Sequence, residues 1–255
     1  EYEGEKHMNL HEFLIVCPLV FLAGFVDAIA GGGGLISLPA YMFAGIPVHH
    51  AIATNKLSSA TGTAVSTWHL VKSKCVDICL VPGTVACAFV GSIAGANLAL
   101  IISDKVLKTV LVFVLPVVAF CVLRDKDLKP VIPEGFTRKK QYLIMAACSF
   151  VIGIYDGFYG PGPGTFLLLA FTKLGKLDME KATGNVKVVN LNISALITFI
   201  LAGKILWVLG LSASVFSIAG HYLGAHMVVK NGVKIIKPII LLVLALLLIK
   251  IVLGI

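Results

Sequence analysis

The sequence predicts an all-α integral membrane protein of two inverted five-segment repeats with Gly-broken hairpins, eight to ten membrane segments in all. Three observations predict it. First, the 255 residues are 58% hydrophobic and 13% charged, with a mean hydropathy of +0.97, whereas a soluble domain is about half apolar and a quarter charged. Second, several apolar runs approach or exceed the roughly 18–20 residues that cross a bilayer. Third, two glycine runs sit between such stretches in matched surroundings. The first is Asp27-Ala28-Ile29-Ala30-Gly31-Gly32-Gly33-Gly34, and the second is Asp156-Gly157-Phe158-Tyr159-Gly160-Pro161-Gly162-Pro163-Gly164. Each is followed by a short apolar run and then by an Asn with a Lys beside it, Asn55-Lys56 and Asn185-Val186-Lys187. A duplicated, broken polar segment in a hydrophobic chain is the sequence pattern of a secondary transporter. Continuous rather than alternating apolar runs exclude a β-barrel.

Residues 1–9 read as a polar N-terminal extension, with Met8 a natural start. The run from about Leu10 has no basic region before it and no small-x-small cleavage site, so it reads as a retained membrane segment. The first repeat, 10–123, divides into apolar segments at about 10–30, 35–47, 50–71, 76–102 and 106–123. A basic linker, 124–140, is expected in the cytoplasm. The second repeat, 141–255, divides at about 141–159, 164–174, 182–203, 205–228 and 235–254. Segments 35–47 and 164–174 are too short to span comfortably, and each partners a Gly-interrupted segment. The halves match in order and in where they break, which implies internal duplication. With an odd number of segments per half, the second half is inverted. If each Gly break instead interrupts one continuous span, each half has four crossings and the repeats run parallel.

Charge sets orientation. With 124–140 inside, Lys72, Lys74, Lys173, Lys176, Lys181, Lys230, Lys234 and Lys237 also fall inside, while Lys105, Lys108 and Lys204 stay outside. The net charge of +8 is therefore a topology signal and not a nucleic-acid footprint. The six cysteines lie mostly in apolar segments and form no Cys-x-x-Cys pair, so neither zinc nor a disulfide framework is expected.

A glycine run at membrane depth leaves backbone groups that lipid cannot satisfy, so it belongs against protein or a wet cavity. The segments starting near Leu35 and Thr165 then present helix N-termini with N–H donors and partial positive charge, suited to an anion. Gly31, Gly32, Gly33 and Gly34, with Gly160, Gly162 and Gly164, are the expected backbone contacts. Pro161 and Pro163 stiffen the second tip, so the two tips should differ. The structural alternative is close helix packing through small residues.

Lys56 and Lys187 lie within the first two turns of long apolar segments. A lysine there either snorkels to the headgroups or faces a cavity. The company each keeps favours the cavity. Asn55, Ser59, Gly62, Ser66 and His69 share one helical face, and so do Lys187, Asn190, Ser194 and Thr198, with Asn185 and Asn192 nearby. Asp27 and Asp156 precede the breaks and must be paired or protonated at such depth. Three roles stay open for them: an ion pair with Lys56 or Lys187 that opens when an anion takes the lysine, a proton site coupled to anion movement, and a cap on the broken backbone. Tyr155 and Tyr159 suit ligand contact or interfacial packing equally. His49 and His50 read as surface loop residues, and His221 and His226 as packing or loop residues.

These residues resemble a known family. Phe25 to Pro39, Gly153 to Thr165, Ala182 to Asn190 and Gly232 to Pro238 resemble successive signatures of the TauE/SafE family of sulfite exporters, nearest its YfcA-like branch of bacterial inner-membrane proteins. The likeness covers nearly all of the chain from Met8. It implies a multi-pass inner-membrane protein that moves sulfite, organosulfonates or related sulfur oxoanions.

The expected function is thus secondary transport of a small anion by alternating access. The site lies between the broken hairpins and is formed by the glycines above with Asn55, Lys56, Asn185, Lys187 and Asn190; Asp27 and Asp156 serve coupling or ion pairing. The alternative is an anion channel using the same breaks as a filter. No enzyme is expected, since no nucleophile, base or metal set accompanies the carboxylates. No cofactor or metal is expected, and the partners are a small anionic substrate and the lipid bilayer, with no nucleic acid. Homo-oligomerisation stays open.

Overall fold

The computed structural model describes residues 10–103, 135–158, 162–191, 193–231, 234 and 238. The expected segment 106–123, all of 235–254 but residue 238, the extension 1–9, most of the 124–140 linker, and the individual residues Tyr159, Gly160, Pro161 and Asn192 lie outside them. The described residues are helical and contain no strand. Helix α1 spans Leu10–Ala30, α2 Gly34–Phe43, α3 Val48–Lys72 and α4 Val81–Ile101. After Gly135 follow α5 Arg138–Phe158, α6 Pro163–Leu169, α7 Met179–Asn190, α8 Ser194–Leu201 and α9 Trp207–Asn231. A wider turn, Ala170–Leu174, continues α6.

Among the described residues five stretches are long and apolar enough to cross a membrane: Leu10–Ala30, Ile78–Ile101, Arg138–Phe158, Met179–Leu201 and Trp207–Asn231. Their outward faces are apolar, with Leu14, Val90, Val151, Leu201 and Val215 all exposed, as expected of surfaces that meet lipid tails. Helix α3 is as long as α9 but carries Asn55, Lys56 and a run of Ser and Thr, and most of these polar groups are buried. It is the central helix, packed against α1, α2, α7, α8 and α9.

Contacts between loops define two ends of the bundle. At one end His49 Nε2 lies 3.0 Å from the Ala99 carbonyl and His50 Nδ1 lies 2.9 Å from the Lys204 carbonyl. These histidines sit in the first turn of α3 rather than in a loop, and they tie that turn to the ends of α4 and α8. At the other end Arg138 pairs with Asp77, Gln141 donates to the Gly175 carbonyl, and Gly184 rests on the backbone of Cys75. Lys72, Lys74, Lys139, Lys140, Lys173, Lys176 and Lys181 all belong to this second end.

Helix directions follow from these ends. Helices α3 and α9 run toward the basic end, while α4 and α5 run away from it. Helix α1 packs alongside α9 in the same sense, and α4 alongside α5. The two short helices return. Helix α2 leads back to the end where α1 begins and α3 starts, and α6 leads back to the Gly175 loop beside the start of α5. At 1.5 Å per residue α2 is about 15 Å long, half a hydrocarbon core.

The packing repeats itself. Gly91 and Gly95 of α4 meet the carbonyls of Phe150 and Ile154, and Gly220 and Gly224 of α9 meet those of Phe21 and Phe25. Gly153 meets Ala88 O and Gly24 meets Ser217 O. One shift in residue number carries Gly24 to Gly153, Asp27 to Asp156, Gly91 to Gly220 and Gly95 to Gly224. These Gly-x-x-x-Gly pairs let backbones approach where lipid supplies no hydrophobic drive between helices. Gly95→Ala would put a methyl against the Ile154 carbonyl, which is backbone and cannot yield. The expected cost is about 1–3 kcal/mol, read as a lower melting temperature of the purified protein in detergent.

The segment expected as one helix over 182–203 is instead two, with Leu191 turned out of helical geometry at ψ 32°. Asn190 is the last residue of α7, and asparagine is a weak helix former. Helix α3 has Ser, Thr and Ala in its matching region and stays continuous.

Candidate functional site

The two broken hairpins meet tip to tip. A Cβ on Gly31 would lie 2.6 Å from Gly164 Cα and 2.7 Å from Thr165 N, and Gly31 itself has φ +77°. Only glycine permits that approach. Thr165 then stitches the tips together. Its N–H donates to Gly31 O at 3.2 Å, and its hydroxyl donates to Ala30 O at 2.9 Å. The second hairpin therefore satisfies the carbonyls left open at the end of α1.

Around this crossing lie four charged side chains, paired across the halves. Lys187 Nζ donates to Asp27 Oδ2 at 2.6 Å, and Lys56 Nζ donates to Asp156 Oδ1 at 2.6 Å. Each lysine is the ninth residue of its helix, α3 or α7. Lys187 is 1% exposed and Lys56 12%, so both amines turn inward and neither snorkels. Asp27 also caps the break: its Oδ1 accepts from the Gly33 N–H at 3.1 Å. The ion-pair role and the capping role are thus filled by one carboxylate.

A small polar cavity of about 40 Å³ adjoins the pairs, lined by Asp27, Gly34, Asn55, Lys56, Ser59, Ala60, Thr63, Asp156, Pro163 and Asn190. A water needs roughly 10–15 Å³ on this measure, so the cavity holds a few waters and a polyatomic oxoanion must displace them or open the pairs. Asn55 Oδ1 is buried without a hydrogen-bond partner among the described residues. Such an acceptor costs free energy unless something donates to it.

The expected residues are gathered to different degrees. Asp27, Gly34, Asn55, Lys56, Asp156 and Asn190 line the cavity. Lys187 stands behind Asp27. Gly31, Gly32 and Gly33, with Gly162 and Gly164, form the crossing tips; Gly31 N donates to Asp27 O and Gly33 N to Asp27 Oδ1, while the neighbouring Leu35 N and Thr165 N donate to Gly32 O and Gly31 O. Asn185 is fully buried, donates to Lys181 O at 2.9 Å, and does not line the cavity. Gly160 lies outside the described residues. The Tyr155 ring packs edge-on against Phe166. The stripe Gly62, Ser66 and His69 lies along α9: Gly62 abuts His221, and His69 meets the rings of Tyr222 and His226. Ser194 reaches Phe89 O on α4, so the second stripe is divided between two surroundings.

Sequence reasoning missed His221. It lies in α9 rather than in a loop and does more than pack against Gly24 and Gly62: its Nε2 lies 3.2 Å from Asp27 Oδ2, and the side chain is 2% exposed. The available signal was a histidine in an apolar helix set among Ser217, Gly220 and Gly224. Among the described residues no three His, Cys, Asp or Glu side chains group as metal ligands.

Comparison with known proteins identifies the family. The family described as Sulfite exporter TauE/SafE matches residues 16–251. The probable membrane transporter protein YfcA of Escherichia coli K12 is 37% identical over 234 residues, 89% of this chain and 84% of that protein. The probable membrane transporter protein ORF9 of Sinorhizobium sp is 34% identical over 237 residues, covering 92% and 89%. A probable membrane transporter protein of Haemophilus influenzae is 33% identical over 225 residues, covering 87% of each. No solved structure matches the chain significantly. The chain belongs to the TauE/SafE family and is a multi-pass membrane transporter of the bacterial inner membrane.

Proposed function

We propose that this chain carries a small sulfur oxoanion, either sulfite or an organosulfonate, by alternating access, and that the anion binds where the two hairpin tips cross. The observation that carries this reading is the pair of inward-turned ammonium groups, Lys187 buried and Lys56 12% exposed, each held by a carboxylate from the other half of the chain. A buried cation needs a compensating anion, and an oxoanion can compete with the carboxylate for that role. Asn55, Asn190, Ser59 and Thr63 add neutral polar groups on the cavity wall. Asn185 and the tip glycines position the wall.

The two repeats, 10–123 and 141–255, are read as inverted copies joined by a cytoplasmic linker at 124–140. Support comes from the matched glycine contacts, the opposite running directions of matched helices, and the basic end that the positive-inside rule assigns to the cytoplasm. With the cross-pairs closed, rocking one half against the other would break one pair and admit substrate from one side. The small cavity favours this over an open pore.

The test uses purified protein in liposomes and labelled sulfite. Wild-type flux is expected to fall by about tenfold or more in Lys56→Ala and in Lys187→Ala, the loss of roughly 1.4 kcal/mol or more of anion stabilisation. Equal flux in all three proteins would remove the lysines from the site. Flux orders of magnitude faster, without counter-transport, would favour the channel.

A further inference from the structure

We propose that His221 binds the proton that travels with the anion, and that this proton site belongs to only one of the two acid–lysine pairs. The inference rests on the transport reading above and deepens it.

His221 has an acceptor at each ring nitrogen. Nε2 faces the Asp27 carboxylate at 3.2 Å, and Nδ1 faces the Ser217 carbonyl at 3.0 Å. A neutral imidazole carries one N–H, and imidazolium carries two. The charged ring therefore satisfies both contacts. The neutral ring has a second arrangement: its N–H sits on Nε2 toward Asp27, and the Ser217 hydroxyl, 3.3 Å from Nδ1, donates to Nδ1, at the cost of an acceptor–acceptor contact between Nδ1 and the Ser217 carbonyl. Both protonation states thus have hydrogen bonds ready. The step between them is a proton transfer alone: the incoming proton adds at Nδ1, the Ser217 hydroxyl bond is released, and the new N–H donates to the Ser217 carbonyl.

Charge links that step to the anion. Asp27, Lys187, Asp156 and Lys56 sum to zero. When an anion draws Lys187 away, Asp27 is left as a buried charge without its cation, which costs several kcal/mol. A proton on His221 restores neutrality beside Asp27. The charged and titratable groups facing the ring are Asp27 from α1, Lys187 beyond it from α7, and Lys56 with Asp156 across the cavity. Helix α3, besides carrying Lys56, brings the Thr63 hydroxyl to 3.4 Å from Nε2. Tyr222 and His226 on α9 face His69 instead. A second small cavity joins Ser217 and His221 to Asp27, Asn55 and Ser59, residues shared with the main cavity, so a water there can relay the proton.

The other half has no such device among the described residues. The residue shift that carries Asp27 to Asp156 brings His221 into register with Ser92, whose hydroxyl is buried without a partner among those residues. Asp156 has Lys56 beside it and a serine, not an imidazole, at the matching position.

Dye-loaded liposomes test this. They are given labelled 2-hydroxyethanesulfonate, which stays ionised and brings no proton of its own, with labelled sulfite run beside it and counterflow measured in the same batch. Wild type is expected to take up about one proton per anion and, by reciprocity, to bind the anion tighter as pH falls. His221→Asn is expected to retain measurable anion movement and to lower the proton-to-anion ratio about tenfold or more. No counterflow of either anion in wild type rejects the transport reading itself. Net anion uptake without proton uptake in wild type, or an unchanged ratio in His221→Asn, overturns the role of His221 and leaves that reading standing. A folded His221→Asn protein that moves no anion also overturns it, by making the ring part of the anion site. His221→Gln, read the same way, replaces the Asn variant if that does not fold.

Discussion

Lys187→Ala is expected to destabilise the folded bundle by about 3–5 kcal/mol, and Asp27→Asn combined with Lys187→Met is expected to recover most of that loss. The reason lies in what each change leaves behind. Alanine alone removes the cation 2.6 Å from Asp27 Oδ2 and strands a largely buried carboxylate. The double variant removes both charges, so no ion stays desolvated. The asparagine amide in place of Asp27 keeps an oxygen for the Gly33 N–H, and methionine fills the channel left by the lysine stem, which is 1% exposed. Thermal unfolding in detergent reads the stability, and labelled-anion flux in liposomes reads the function. The double variant should fold and yet transport nothing. Recovery of transport along with stability would mean that the pair is a structural bridge with no part in anion binding.

Gly164→Val is expected to abolish recovery of folded protein, while Gly45→Ala is expected to cost only about 1–2 kcal/mol, the strain of a left-handed residue. A Cβ at Gly164 would sit 2.6 Å from both Gly31 Cα and Asn190 Nδ2. Gly31 cannot retreat, because its carbonyl is held by Thr165 N and its own φ is +77°. A valine therefore separates the tips and breaks the bonds that cap α1. Gly45 has φ +85° but meets nothing within 4 Å, so it isolates the backbone term from the packing term. Monodispersity on size exclusion and the melting temperature separate the two outcomes. A well-folded Gly164→Val protein would show that the tips need not touch.

Much of this was legible in the chain. The apolar segments, the short partners of the glycine runs, and the inward importance of Asp27, Lys56, Asp156 and Lys187 follow from local composition, because a charge or a bare backbone at membrane depth has few tolerable surroundings. The break at Asn190 was less legible. Periodicity over 182–203 is helical on both sides of it, and one asparagine shifts the balance by less than a pattern can register. His221 was legible only as a histidine in an apolar helix. Its meaning depends on Asp27, far away in sequence and brought near only by the packing of α1 along α9.

The order of the helices and the need to bury four charges were decided by the sequence alone, since cost against lipid is a property of each residue. Which lysine answers which aspartate was decided by the tertiary structure. Neighbours in sequence do not pair: each carboxylate takes its cation from the opposite half, because the hairpin tips cross at two glycines and bring those groups into reach.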